Sequence, residues 1–283
     1  MDDVSPPLFD LPTLRIVPLD RLIPHEQHDV QRSLPLAERL KAEGVLINPP
    51  IVARLSPEED RYVVLDGANR VTAAKLLGLP HMLVQIVDYE DPELQLSTWY
   101  HVITGCDLET FTTRLKAILG LTLTPSGLLH ARAALARRDI LAYLVCRDEQ
   151  VFLIEGGHDL QSRTALLNAL VDAYKDICRI YRANTDRIAQ LAQLYPDLVA
   201  VVVFPHYEPA EILELARNEA RLPAGITRHI IPRRALRVNL PLHILAEARS
   251  TEEKNTWLEE WLRHKVANKQ VRYYAESTVL FDE

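Results

Sequence analysis

Residues 63–70 read Val-Val-Leu-Asp-Gly-Ala-Asn-Arg, an apolar run that passes through an Asp-Gly pair straight into helix-forming sequence. A helix N-terminus presents unpaired backbone N–H groups and a partial positive charge, which suits an anion. Gly67 lets the backbone approach a phosphate closely, and Arg70 adds a two-pronged contact. Asp66, at the strand end, is the right type of group to hold Mg²⁺ beside phosphates. The plainer reading is a strand–turn–helix in which Asp66 caps the helix. By spacing alone that reading carries more weight, because Asp-Gly turns are common.

Three further stretches gather reactive side chains. Residues 24–29 (Pro-His-Glu-Gln-His-Asp) concentrate titratable groups in a loop where a glutamate could serve as a general base. The histidines are three apart, so this is not the zinc-binding His-Glu-x-x-His arrangement. By pattern alone an exposed polar loop, with Asp29 near a helix start, is favoured. Residues 97–101 (Ser-Thr-Trp-Tyr-His) bring hydroxyls, an indole and an imidazole together, balanced against a plain aromatic pair at the core edge. Residues 223–229 (Pro-Ala-Gly-Ile-Thr-Arg-His) are followed by Arg233, Arg234 and Arg237. Four arginines from 228 to 237 with no acid between them suit a carboxylate or phosphate, or simply form a solvated basic face.

The elements that position these groups alternate in type over the first hundred residues. Residues 14–17, 50–54, 62–65 and 82–87 read as strands by β-branched content. Residues 33–43 and 68–77 read as helices, each ended by a glycine, Gly44 and Gly78. Beyond them, 108–119, 160–180, 210–221 and 252–268 read as helices, the last with Trp257 and Trp261 packed on one face. Residues 140–146 and 150–154 read as a hairpin and 199–204 as a buried strand. Residues 226–231 and 236–240 read as strands around a Pro-Arg-Arg turn, and an alternating strand closes the chain at 271–281. The class is α+β, with units expected at 1–105 and 106–283.

The 283 residues allow one large domain or two modest ones. A hydrophobic share of 48% with 25% charged residues is ordinary for a globular chain and speaks against long disorder. The formal charge of −7 weakens a duplex-DNA reading. The N-terminus is acidic, no apolar signal core follows, and the longest purely apolar run, 198–204, is far too short to span a bilayer. Cys106, Cys146 and Cys178 lie far apart, which indicates neither a disulfide framework nor structural zinc. A reduced, cytoplasmic setting with inert cysteines is the expectation.

Taken together, these motifs resemble a known family. The run 61–78 (RYVVLDGANRVTAAKLLG) is similar to the nucleotide-binding motif of the ParB/sulfiredoxin superfamily. The His-Glu pair, Ser-Thr-Trp-x-His, Pro-Ala-Gly-Ile-Thr-Arg-His with Asn-Leu-Pro-Leu, and the ending Lys-Val-Ala-Asn at 265–268 resemble, in the same order, the free L-serine kinases of that superfamily. A lone Asp-Gly-x-x-Arg would carry little; four motifs in order carry much more.

The resemblance implies an N-terminal ParB/sulfiredoxin-like nucleotide unit with a mixed α/β C-terminal domain folding back over it. It implies transfer from ATP or ADP to free L-serine with Mg²⁺, feeding cysteine or siderophore biosynthesis. Glu26 matches the catalytic glutamate. Asp66, Gly67, Ala68, Asn69 and Arg70 match the phosphate-binding turn. Trp99, Thr227 and His229 match the residues around serine, with His101 and Arg228 as neighbours, and Asp66 and Glu26 are expected to help hold the metal. Asn69 departs from the family's usual histidine: it can donate a hydrogen bond but cannot be protonated. Ala68 stands where sulfiredoxins carry their reactive cysteine, which argues against that chemistry. The rival is a ParB-like regulator binding nucleotide and DNA, with two helices inside 108–138 beside Arg132, Arg137 and Arg138. A haem sensor is a third reading, for which no residue marks an axial ligand. The sequence favours a small-molecule enzyme with neither nucleic acid nor membrane as partner, and it is silent on oligomeric state.

Overall fold

The computed structural model of the chain describes residues 11–27 and 30–274. The Pro-rich leader through residue 10, His28, Asp29 and the closing strand expected beyond 274 lie outside the described residues.

In chain order, β1 (Thr13–Pro18), a 3-10 turn (Leu19–Arg21) and β2 (Leu22–Pro24) lead into α1 (Val30–Glu43). β3 (Val45–Leu46), β4 (Ile51–Arg54) and β5 (Tyr62–Asp66) precede α2 (Ala68–Leu76). β6 (His81–Val87), β7 (Gln95–Thr98) and β8 (Tyr100–Thr104) are followed by α3 (Leu108–Lys116), β9 (Thr122–Ser126) and α4 (Leu128–Ala136). β10 (Ala142–Cys146) and β11 (Val151–Glu155) form the expected hairpin, ahead of α5 (Leu160–Lys175), β12 (Arg179–Ala183), α6 (Ile188–Leu194) and β13 (Leu198–Val203). α7 (Pro209–Arg217), β14 (Thr227–Ile230), β15 (Leu240–Pro241), α8 (Leu242–Ala246) and α9 (Thr251–Ala267) complete the order.

Two large sheets organise these elements. A mixed five-stranded sheet runs β1-β6-β4-β5-β2, and a six-stranded antiparallel sheet runs β12-β8-β13-β10-β11-β9. The central strands are buried on both faces, which is why they read as unbroken apolar runs rather than alternating ones. In β5, Val63 and Leu65 join a core shared with the second sheet, α3, α5 and α7, while Tyr62 and Val64 face α1, α2, α8 and α9. In β13 the same split sends Val202 to the shared core and Val201 and Val203 to a third cluster under α4 and α6. The C-terminal α8 and α9 therefore pack on the N-terminal sheet, and Asn255 of α9 bonds both backbone groups of Ile16.

Several expectations change. α5 stops at Lys175, because 176–178 turn the chain into β12, so the long helix does not reach 180. Residues 226–231 and 236–240 do not pair with each other: β14 pairs with β7, and only Leu240–Pro241 is extended in the second segment, against β3. Residues 271–274 carry no strand. The two helices within 108–138 are separated by β9, a sheet strand paired with β11, so the segment is not a helix-turn-helix. Cys106 and Cys178 form a disulfide, against the expectation of unpaired thiols, while Cys146 is free and buried. Sequence spacing hid the pair because 72 residues separate its members. β8 belongs wholly to the second sheet, and β7 just before it pairs with β14. No helix among the described residues is long and apolar enough to cross a membrane.

Candidate active site

An early and a late segment meet where β2 runs on past Pro24. Leu222 N donates to the His25 carbonyl and Gln27 N donates to the Leu222 carbonyl, both at 2.8 Å, a parallel bridge centred on Glu26. That bridge holds the 222–227 turn against the Glu26 carboxylate. Gly225 N donates to Oε2 at 2.7 Å; Thr227 donates to Oε1 from its backbone N at 2.7 Å and from its hydroxyl at 2.5 Å. Gly225 has φ +79°, and a Cβ there would lie 2.2 Å from Arg182 Nη2, so the turn needs glycine on both counts. Next to Glu26, His25 is buried, with Nδ1 2.6 Å from the Val64 carbonyl and Nε2 2.8 Å from Thr227 Oγ1.

On the other side of β5 the Asp-Gly turn takes shape. Gly67 occupies the N-cap position of α2 in the left-handed region (φ 94°) and offers no side-chain cap. Asp66 does not cap the helix either. Its Oδ2 accepts from Arg70 at 3.3 Å and from Arg234. Burial opposes ionisation of Asp66, but the two guanidinium groups prevail and hold its carboxyl below the usual range. The first N–H groups of α2, from Ala68 onward, are thus left to face the cleft without a side-chain cap. Arg70 also donates to the Asn48 and Pro49 carbonyls, tying the 48–49 loop to the turn. Asn69 accepts from Ser33 Oγ at 3.3 Å, linking α2 to α1. Arg234 is delivered by Gln85, whose amide donates to the Arg233 carbonyl and accepts from Ala235 N.

The third wall comes from the β7–β14 pair. Trp99 N donates to the Ile226 carbonyl at 2.8 Å, and the Arg228 guanidinium lies 4.3 Å from the Trp99 ring centroid. His229 sits behind this wall, with Nε2 2.8 Å from the Tyr89 hydroxyl and a second hydrogen bond to the Leu65 backbone. Burial, with His25 close by, keeps its pKa well below the ordinary histidine value. His101 is likewise engaged twice, by the Tyr174 hydroxyl and the Gly225 backbone; burial and the nearby Arg182 lower its pKa to about 3. It supports the Gly225 turn from below as a neutral ring.

Glu26, the 66–70 turn, Trp99, His101 and the 227–229 strand all line one cleft of about 1990 Å³. The sequence reading missed the groups that hold this site together: Gly225 N–H, Gln85, Tyr89, Tyr174 and Arg182. Gln85 had a signal, as a lone amide in the apolar run His81–Val87, and Gly225 lay inside the 223–229 motif; Tyr89, Tyr174 and Arg182 had none. Among the described residues no three His, Cys, Asp or Glu side chains cluster as a metal site. Glu26 accepts three hydrogen bonds and Asp66 is held by Arg70, Arg234 and the Gly67 backbone; of the two carboxylates, Asp66 is the one at the glycine turn, the type of group that holds Mg²⁺ beside phosphates.

With this geometry the chain superposes on a free serine kinase in complex with AMP at a TM-score of 0.70, with 24% identity, over 84% of this chain and 98% of that one. The fold is that of the free serine kinases. A C-terminally truncated SbnI from Staphylococcus aureus superposes at 0.68, with 22% identity, over 91% and 97% of the two chains. In sequence, the ADP-dependent L-serine kinase SerK of Thermococcus kodakarensis is 29% identical over 232 residues, covering 80% of this chain and 92% of SerK. The ATP-dependent L-serine kinase SbnI of S. aureus is 27% identical over 275 residues, covering 95% and 97%. No family model matches the chain. In this serine kinase fold the cleft lies where the β2–β5 pair, the glycine turn and the β7–β14 ribbon converge.

Proposed function

We infer that this chain is a free L-serine kinase, transferring a phosphoryl group from ATP or ADP to the serine hydroxyl to give O-phospho-L-serine. One observation carries the reading: a carboxylate held by backbone N–H groups, Glu26, shares a cleft with an uncapped glycine–helix turn. Two full-length relatives with L-serine kinase names support it.

Such transfer is mostly positioning and charge neutralisation. Gly67 and the first N–H groups of α2 take the donor's phosphates, with Arg70 and Arg234 adding positive charge. Mg²⁺, with Asp66 as its protein ligand, would offset the negative charge of the phosphates. Glu26 takes the serine proton. Each carboxylate oxygen has about two acceptor positions. Oε1 receives both Thr227 donors while Oε2 receives Gly225 N–H, so Oε2 is the oxygen for the substrate hydroxyl. Arg228, stacked on Trp99, takes the substrate carboxylate. His229 and His101, with two partners each, shape the pocket rather than reach into it.

Residues 1–105, with the strand–turn–helix at 62–76, are read as a ParB/sulfiredoxin-type nucleotide unit and 106–283 as the region that completes the serine site. We place the reaction in the cytoplasm, where nucleotide and free serine are at hand, and connect its product to cysteine or siderophore biosynthesis. The test is incubation with L-serine, Mg²⁺ and ATP or ADP, with mass-spectrometric detection of phosphoserine. Product with either donor, lost in Glu26→Ala, is expected; no product with both donors, or undiminished turnover in Glu26→Ala, overturns the assignment.

A further inference from the structure

We propose that His25 is a positioning residue for this reaction: from a ring locked on the Val64 carbonyl, it directs the Thr227 hydroxyl onto Glu26. The proposal rests on the serine kinase reading for its kinetic consequences, and on hydrogen-bond accounting for its structure.

Three atoms stand in line: His25 Nε2, Thr227 Oγ1 and Glu26 Oε1, separated by 2.8 and 2.5 Å. Val64 O only accepts, so His25 Nδ1 carries a proton and donates it at 2.6 Å. That contact fixes the ring plane and leaves Nε2 aimed at Thr227. Thr227 Oγ1 therefore lies between the imidazole ring and the carboxylate, and Glu26, as a carboxylate, accepts from the hydroxyl. Glu26 Oε1 is then fully occupied by the two Thr227 donors, so the substrate hydroxyl is directed to Oε2.

Without His25 the Thr227 hydroxyl keeps Glu26 as a partner but loses the ring that fixes Oγ1 from the other side. The third anchor of the Glu26 carboxylate is then less firmly placed than its two backbone donors. His25 touches neither substrate nor nucleotide in this scheme, and its effect passes entirely through Thr227. The ring's other neighbours do not compete for Nε2. His229 approaches edge-on, with ring centroids 5.2 Å apart, and its own Nε2 faces Tyr89. Asp66 lies two residues beyond Val64 and is held by Arg70 and Arg234. Arg182 lies against Gly225 on the far side of the turn.

A double-mutant cycle tests the idea. His25→Asn keeps a donor for Val64 but cannot reach Thr227; Thr227→Val removes the hydroxyl at nearly constant shape. Each is expected to lower kcat for phosphoserine formation by about 10- to 100-fold, with the KM for serine and the nucleotide Kd little changed. The double variant should be no worse than the weaker single, because both act through one contact. Thr227→Ser, which restores the hydroxyl, should recover most of the rate. Effects that multiply in the double variant, or losses confined to KM and thermal stability, overturn the proposal.

A second measurement does not depend on turnover. In ¹⁵N-histidine spectra at neutral pH, the His25 Nε2 signal should move in Thr227→Val and in Glu26→Gln; an unmoved signal in both overturns the proposal. Wild-type protein that makes no phosphoserine with either nucleotide, yet shows these spectral shifts, would defeat the kinase reading and leave the His25–Thr227–Glu26 line standing.

Discussion

Thr227 gives two hydrogen bonds to one oxygen of Glu26, from its backbone nitrogen and its hydroxyl, across 201 residues of chain. The late β14 strand thereby becomes part of the early loop, and the Glu26 carboxylate is oriented by a segment far along the sequence.

Gly225→Ala tests that coupling. The residue sits at φ +79°, and its new Cβ would meet the Arg182 guanidinium. A left-handed alanine costs about 1 kcal/mol, and the Arg182 guanidinium must swing aside, loosening the turn that holds Glu26. The expected result is a stability loss of about 1–2 kcal/mol in urea unfolding and a fall in kcat of tenfold or more. Adding Arg182→Ala should relieve the steric part and leave the backbone part.

The local pattern carried much of this site. The apolar strand, Asp-Gly pair and helix at 62–76 form as their spacing says, because turn chemistry and helix stops are encoded within a few residues. What spacing could not carry is pairing. Residues 226–231 look like half of a hairpin, but their partner is β7, more than a hundred residues earlier. The resemblance places His229 and its neighbour His101 around serine; what sequence does not give are their hydrogen-bond partners, Tyr89 and Tyr174, which come from distant elements. The disulfide was hidden for the same reason, since Cys106 and Cys178 become neighbours only when α3 packs on α5.

Arg234→Ala should change how the protein responds to acid. Asp66 has a folded pKa below its ordinary value of 3.8, owed in part to Arg234. A depressed carboxyl stabilises the fold above the unfolded pKa and loses that contribution as pH falls through the folded value. The stability difference between wild type and Arg234→Ala is therefore expected to be largest above about pH 4 and to close at lower pH. Urea midpoints at pH 7, 4 and 3 check this; a gap that widens on acidification contradicts it.

His101 gives the opposite experiment, one in which the wild type is the more acid-sensitive protein. Burial lowers its pKa from 6.5 to about 3, so the unfolded chain binds a proton that the folded chain refuses. The stability present above pH 6.5 is lost as pH falls toward the folded value, at up to about 1.4 kcal/mol per pH unit. Between pH 6.5 and 5 that amounts to about 2 kcal/mol. A His101→Gln variant, which keeps an amide for Tyr174 or the Gly225 backbone, should be less stable at pH 7 yet lose less on moving to pH 5. Equal losses in both proteins would mean that His101 is not the buried neutral group.

The Cys106–Cys178 bond joins the start of α3 to the turn that ends α5, and Cys178 lines the cleft. Cross-linking residues 72 apart removes loop entropy worth up to about 4 kcal/mol from the unfolded chain. Adding a thiol reductant, or Cys106→Ser, should therefore lower the urea midpoint markedly. Nucleotide affinity should change little, because the 66–70 turn is held by hydrogen bonds among Asp66, Arg70 and Arg234 rather than by the bridge. Serine turnover should fall further than nucleotide binding, since the α5–β12 connection carries Cys178 and lies just before Arg182, the cation packed on Gly225. Parallel measurement of melting, nucleotide Kd and phosphoserine formation, with and without reductant, separates these effects; unchanged melting on reduction would show that the bridge does not form in solution.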